Sequence, residues 1–131
     1  DVRVVIDDGL VASVDPGRME QVLANLLTNA AKHGAPPVEV AARSVAGDLE
    51  LRVTDHGPGV PGEAIGTLFS PFAEGADAGS VGLGLWVVHT LTAAHGGSVD
   101  YRPDAGRASF LVHIPGAARS SSAPSGVVPT L

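Results

Sequence analysis

The segment DPGRMEQVLANLLTNAAKHG, residues 15–34, constrains this chain more than any other. Asp15 is suited to cap a helix, and Pro16 carries the right φ for the first helical position. Apolar residues then recur at 19, 22, 23, 26, 27 and 30, and Gly34 stops the run, which predicts a helix. At about 100° per residue, Asn25 and Asn29 lie only about 40° apart in projection, with Lys32 about 60° to the other side of Asn29. The helix therefore has an apolar side for a core and a narrow polar stripe of two amides and the chain's one lysine. An Asn carbonyl suits a magnesium ion that takes its other oxygens from phosphate and water, and a lysine can neutralise phosphate. On pattern alone, the plainer reading of the stripe is a solvated helix face.

Around this helix the sequence alternates at period two. VRVVI (2–6) and LVASV (10–14), separated by Asp7, Asp8 and Gly9, predict a hairpin. PVEVAARSV and LELRVTD, with Gly47-Asp48 between them, predict a second hairpin that ends at Asp55. A short helix is expected over 62–68, a Gly/Ala-rich loop over 73–82, and a second long helix over 83–95, stopped by Gly96-Gly97. SVDYR and ASFLVHI read as closing strands. Residues 116–131, small, polar and proline-containing, are expected to form a flexible C-terminal tail after a domain spanning 1–115.

Composition removes several function classes. With 44% hydrophobic and 17% charged residues, the 131-residue chain fits one domain that buries roughly two thirds of its unfolded surface. A formal charge of -6 and no Lys/Arg cluster argue against nucleic-acid or anionic-membrane binding through a broad basic patch. Without cysteine there are no disulfides and no thiolate metal sites, so packing alone must hold the fold. No apolar run is long enough to span a bilayer, and no signal-peptide pattern is present. The chain starts without Met, which suggests a domain excised from a longer protein.

Two further motifs sit where chemistry is expected. In DHGPG (55–59), Asp55 ends a strand and can accept a hydrogen bond from the exocyclic amino group of adenine, where guanine presents a carbonyl. Gly57 and Gly59 allow a sharp turn against a flat base. In SVGLGL (80–85), Gly82 and Gly84 open a helix whose unpaired N–H groups favour a triphosphate. Each alone is weak: an Asp-started turn and a loop before a helix explain them as well.

In their order, however, these motifs resemble the sensor histidine kinases. QVLANLLTNAAKH looks like the N box, DHGPG the first glycine box, LFSPF (68–72) the F box and VGLGLWVV the second glycine box, within a resemblance covering about 12–114. The resemblance implies an α+β class, the Bergerat ATP-binding fold: a two-layer sandwich with a mixed β-sheet covered on one face by helices. It implies ATP and magnesium as ligands, with Asn29 on the metal and Asn25, Lys32 and His33 near metal or phosphates. Asp55, with Gly57, Gly59 and Val60, would hold the adenine; Gly82, Leu83, Gly84, Leu85 and Ser109 would complete the nucleotide site. The implied partners are a dimerisation domain of the same homodimeric parent kinase, bearing the phosphoacceptor histidine, and a downstream response regulator. Nucleic acid and direct membrane contact by this domain are not expected, and a cytoplasmic location is, even if the parent is membrane-anchored.

Related hydrolases carry a glutamate one turn before the metal-binding Asn, as general base for water. Here that position is Asn25, an amide that accepts no proton at neutral pH, so the site is suited to hold ATP for transfer. None of His33, His56, His89, His95 and His113 is followed by the acidic residue and downstream proline of the family's phosphoacceptor box. The lid between Phe72 and Gly82 departs from the family: it is short, lacks Lys and Arg, carries Glu74 and Asp77, and has Ser80 where glycine is usual. A mobile lid and low isolated affinity are expected. Trp86 is read as a helix-packing residue, Phe69 and Phe72 as core and lid anchors, and Met19, Leu23 and Leu27 as core. A non-catalytic nucleotide-sensing module and an anti-sigma-type serine kinase of the same superfamily remain alternative functions.

Overall fold

The computed structural model describes residues 2–71 and 83–120. Asp15 caps the first long helix, α1 (Pro16–His33), by accepting the Arg18 N–H at 3.0 Å, and the Gly34 N–H closes its other end onto the Ala30 carbonyl. Of its apolar positions, Val22, Leu26 and Ala30 are fully buried, while Met19, Leu23 and Leu27 are partly buried beside them. Truncating Leu26, which is wholly enclosed, would cost about 2–5 kcal/mol.

Strands β3 (Val38–Val45) and β4 (Asp48–Asp55) form the expected hairpin. Its turn lies one residue earlier than Gly47-Asp48: Ala46 and Gly47 adopt φ of 53° and 88°, the pair of positive values a two-residue type I′ turn requires. Asp48 is thereby the first residue of β4. The later strands β5 (Ser98–Asp104) and β6 (Arg107–Ile114) form a second hairpin. Between the hairpins lie α2 (Gly62–Ile65), shorter than the helix expected there, and α3 (Gly84–Ala94).

The first hairpin expectation fails. β1 (Val2–Ile6) pairs in parallel with β3, and β2 (Val11–Ala12) pairs with β7 (Ala118–Arg119). The chain does turn after Asp7, where Leu10 N–H donates to the Asp7 carbonyl at 3.2 Å. But Asp7 is claimed by β3: its N–H donates to the Ala42 carbonyl and its carboxylate accepts the Ser44 N–H, both at 3.0 Å. The two runs therefore part into different sheets. Alternation identifies a strand but not its partner.

The start of the expected tail is also corrected. Ala117 is buried and residues 118–119 are strand, so the folded unit runs past 115 at least to Arg119. Asp48 clasps this segment, accepting the Gly116 N–H at 2.8 Å and lying 2.8 Å from His113 Nε2. The Gly116 N–H and then His113 hold the Asp48 carboxyl below its ordinary range. The rest of the expected tail, 121–131, lies outside the described residues.

The main sheet has the order β1-β3-β4-β6-β5, mixed because only the β1–β3 pair is parallel. Alternate residues Val38 and Val40, Leu49, Leu51 and Val53, and Phe110, Val112 and Ile114 face one side and pack with α1 and α3 into a single core. Among the described residues, no helix covers the other side. This is the α+β, two-layer arrangement implied by the motifs. No helix among the described residues is long and apolar enough to cross a membrane.

Candidate nucleotide site

A cleft of about 260 Å³ opens on the helical side of the sheet, between α1, the loop after β4, α2 and α3. Its strand wall exists because β4 and β6 alternate: Asp55, Ala108 and Phe110 point into it from the face that farther along carries the core. Asn29 and His33, one turn apart near the end of α1, line it from the helix. Gly59, Val60 and Leu85 complete the set of expected residues that the structure brings together there.

Asp55 is 5% exposed. Its Oδ1 accepts the Gly57 N–H at 2.8 Å, which fixes the carboxylate and leaves Oδ2 with acceptor capacity toward a ligand. Two glycines make this possible. A Cβ on Gly34 would collide with the Asp55 carboxylate, and one on Gly57 would lie 2.7 Å from the Gly34 Cα. The end of α1 and the loop after β4 thus touch through bare backbone, with His56 N–H donating to the Ala35 carbonyl at 2.8 Å and the His56 ring 2.7 Å from the Pro37 carbonyl.

Tyr101 is a cleft residue that the sequence reading missed. Its hydroxyl accepts the Val60 N–H at 2.8 Å, and its ring packs on Phe110 with centroids 5.2 Å apart. The same contact explains Gly59: its φ is +80°, and a Cβ there would lie 2.8 Å from the tyrosine hydroxyl. Period two from Val99 was the available signal, since it puts Tyr101 on the helical side of β5. Pro61, Ala64 and Leu68 line the cleft from the α2 region, and Phe69 packs edge-on to Phe110, as expected of a core anchor.

Other expected residues lie elsewhere. Asn25 is tied into the helix layer: its amide donates to the Gly84 carbonyl at 3.1 Å and accepts from Gln21 at 2.7 Å, joining α1 to the first residue of α3. Lys32 is exposed on the last turn of α1 and does not line the cleft. Leu83 is the N-cap position of α3, with Gly84 its first residue; Trp86, at 38% exposure, is only partly packed. Ser109 is a correction. Between Ala108 and Phe110 on β6 it points to the helix-free side, where it bonds Thr54 at 2.8 Å, so it cannot reach the cleft. Phe72, Gly82 and the lid residues, Glu74, Asp77 and Ser80 among them, lie outside the described residues.

The chemistry of this donor set fits an adenine nucleotide. One buried carboxylate has an oxygen able to accept from an amino group, an apolar wall suits a flat base, and a carboxamide and an imidazole line the cleft from α1. Residues 14–118 match the family described as "Histidine kinase-, DNA gyrase B-, and HSP90-like ATPase". The chain belongs to this family, as an ATP-binding domain of the sensor histidine kinase type.

Two curated relatives show the scale. The chain is 35% identical over 114 residues to the signal transduction histidine-protein kinase AfsQ2 of Streptomyces coelicolor, covering 82% of this chain and 21% of that protein. It is 34% identical over 120 residues to the sensor histidine kinase component HK1 of Mycobacterium tuberculosis, covering 88% of this chain and 71% of that one. The chain therefore spans about a fifth of AfsQ2. Among solved structures, the mycobacterial sensor histidine kinase MprB superposes with a TM-score of 0.72 at 27% identity, over 92% of this chain and 84% of that one. Full-length ShkA in complex with AMPPNP superposes with a TM-score of 0.68 at 29% identity, over 91% of this chain and 26% of that one.

Proposed function

We infer that this domain binds magnesium-ATP and donates the γ-phosphoryl group to a histidine on the dimerisation domain of its parent kinase, which in turn serves a response regulator. The observation that carries the reading is the charge pattern of the cleft. Among its described lining residues Asp55 is the single carboxylate, and this reading sets it against the base. No carboxylate occupies the α1 positions that would face phosphate, where a hydrolase needs a base for water; Asn25 is there instead, and it is spent on the Gly84 carbonyl.

Asp55 would orient ATP through the adenine amino group, with Tyr101 holding the Val60 backbone beside it. Asn29 would supply one hard oxygen to magnesium. Magnesium commonly takes one or two ligands from protein and the rest from phosphate and water, so one amide oxygen would suffice. Bound magnesium would offset phosphate charge. His33 and the N–H groups opening α3 would face the phosphates, and Lys32 would need to swing inward to join them. Catalysis in this reading is positioning and charge neutralisation: the bond from the γ-phosphorus to its bridging oxygen breaks, a P–N bond forms on the acceptor imidazole, and that ring loses its N–H proton. A supply of ATP agrees with a cytoplasmic setting.

The test is transfer of labelled phosphate from ATP to the parent's dimerisation domain, by the unchanged domain and by Asn29→Asp. Transfer by the first and its loss in the second is the expected result. Tight nucleotide binding by the unchanged domain with no transfer would instead identify a nucleotide-sensing module.

A further inference from the structure

The helix-free face of the sheet carries a second hollow, of about 330 Å³, that the nucleotide function does not use. Three of the chain's seven arginines line it: Arg52 from β4, Arg102 from β5 and Arg107 from β6. In a chain of net charge -6 this is a concentration of cations on the face of the sheet opposite the ATP cleft. Thr54 and Ser109 also line it, with exposures of only 6% and 7%.

Two features set the hollow apart from a solvated charged face. The first is a count of protons. Thr54 Oγ1 and Ser109 Oγ lie 2.8 Å apart, and whichever hydroxyl donates, the accepting one keeps its own hydrogen. Among the described residues neither hydroxyl makes another hydrogen bond, so the accepting hydroxyl keeps a hydrogen that it can donate to a ligand. The second is Arg52. The other arginines of this face are partnered: Arg3 with Glu39 at 3.8 Å, Arg43 with Glu50 at 2.9 Å, Arg102 with Asp100 at 3.7 Å and Arg107 with Asp104 at 3.5 Å. Arg52 has no ion pair or hydrogen bond among the described residues, although Glu50 stands two positions away on the same strand face.

Glu39 and Asp104 line the hollow too, so its formal balance is three positive against two negative groups. Both acids already face an arginine, and the Arg102 and Arg107 pairs are long and half-exposed, which leaves their guanidinium groups free to turn. We propose that this hollow is an anion site for a phosphate group, held by Arg52, Arg102 and Arg107 around its rim and by the spare hydroxyl proton of the Thr54–Ser109 pair at its floor. The donors come from three strands and from below. A tetrahedral group with four oxygens can meet rim and floor together, whereas a planar carboxylate can present its two oxygens in only one plane.

The site stands whether or not the ATP reading holds, because the two faces of the sheet do not share these residues. Backbone amide shifts are followed by NMR during titration with inorganic phosphate, with phosphoserine as a soluble monoester, and with acetate as a planar control. Saturable shifts at Thr54, Arg102 and Ser109, with Val60 in the nucleotide cleft unmoved, are expected for phosphate or phosphoserine and absent with acetate. Preference for inorganic phosphate assigns the site to the free anion, and preference for phosphoserine assigns it to a phosphorylated side chain. Arg52→Ala, an exposed position, and independently Arg107→Gln should each weaken binding about tenfold, the loss of one charge-assisted hydrogen bond. Non-saturating shifts, equal binding of acetate, or unchanged binding in both variants would overturn the proposal.

Discussion

Replacing Asp55 by Asn tests how the cleft reads its base. In the unsubstituted domain, the Gly57 N–H donates to Asp55 Oδ1 at 2.8 Å, so the other carboxylate oxygen is the one available to the ligand. An asparagine would keep its carbonyl oxygen on that same N–H and turn its NH2 group toward the base. Adenine would then meet a donor with a donor, while guanine would meet a donor with its carbonyl. Losing a hydrogen bond to a charged acceptor costs about 1.5–3 kcal/mol, which weakens ATP binding about 10- to 100-fold. GTP binding moves the other way, so the ATP-to-GTP preference falls by about tenfold or more. The substitution preserves volume and the Gly57 contact, so the melting temperature should move little. Calorimetric titration with both nucleotides gives the answer: ATP affinity within about twofold of the parent, or an unchanged preference, would show that the Asp55 carboxylate does not face the base.

Further consequences can be measured on the same domain. Asn25→Ala removes the tie to the Gly84 carbonyl and should destabilise by about 1 kcal/mol, read by chemical denaturation; no change would mean the α1–α3 bond carries no stability. Tyr101→Phe orphans the Val60 N–H, so hydrogen exchange at Val60 should speed up while the strand amides of β4 stay protected. Because Asp48 has its carboxyl depressed by Gly116 and His113, its contribution is complete above the ordinary carboxylate range and is lost as pH falls through the lowered value. Melts across acidic pH should show Asp48→Asn with a flatter decline than the parent. Incubation with labelled ATP should leave no stable label on the isolated domain. His56, His95 and His113 are each held by packing bonds, His95 through both ring nitrogens, to the Leu91 carbonyl and from the Asp15 N–H.

What the sequence could convey depended on whether a feature was local. The α1 cap, its buried stripe and the ends of both true hairpins follow from neighbours within a few residues, and each stands close to its expected place. The partner of β1 depends on Asp7 reaching Ser44, and that of β2 on a segment about a hundred residues later, and neither leaves a trace in local alternation. The site divides along the same line. Asn29 and Asp55 were legible because helix period and strand end fix their direction. Tyr101 and Ser109 were legible in principle too, since both lie on one hairpin whose period-two register decides them: Tyr101 pairs with Phe110 on the helical side, and Ser109 with Arg102 on the other. A motif resemblance assigns a residue to a ligand without asking which face of the strand it occupies. For Ser109 that face decides, and it moves the serine from the ATP cleft to the floor of the arginine-lined hollow behind it.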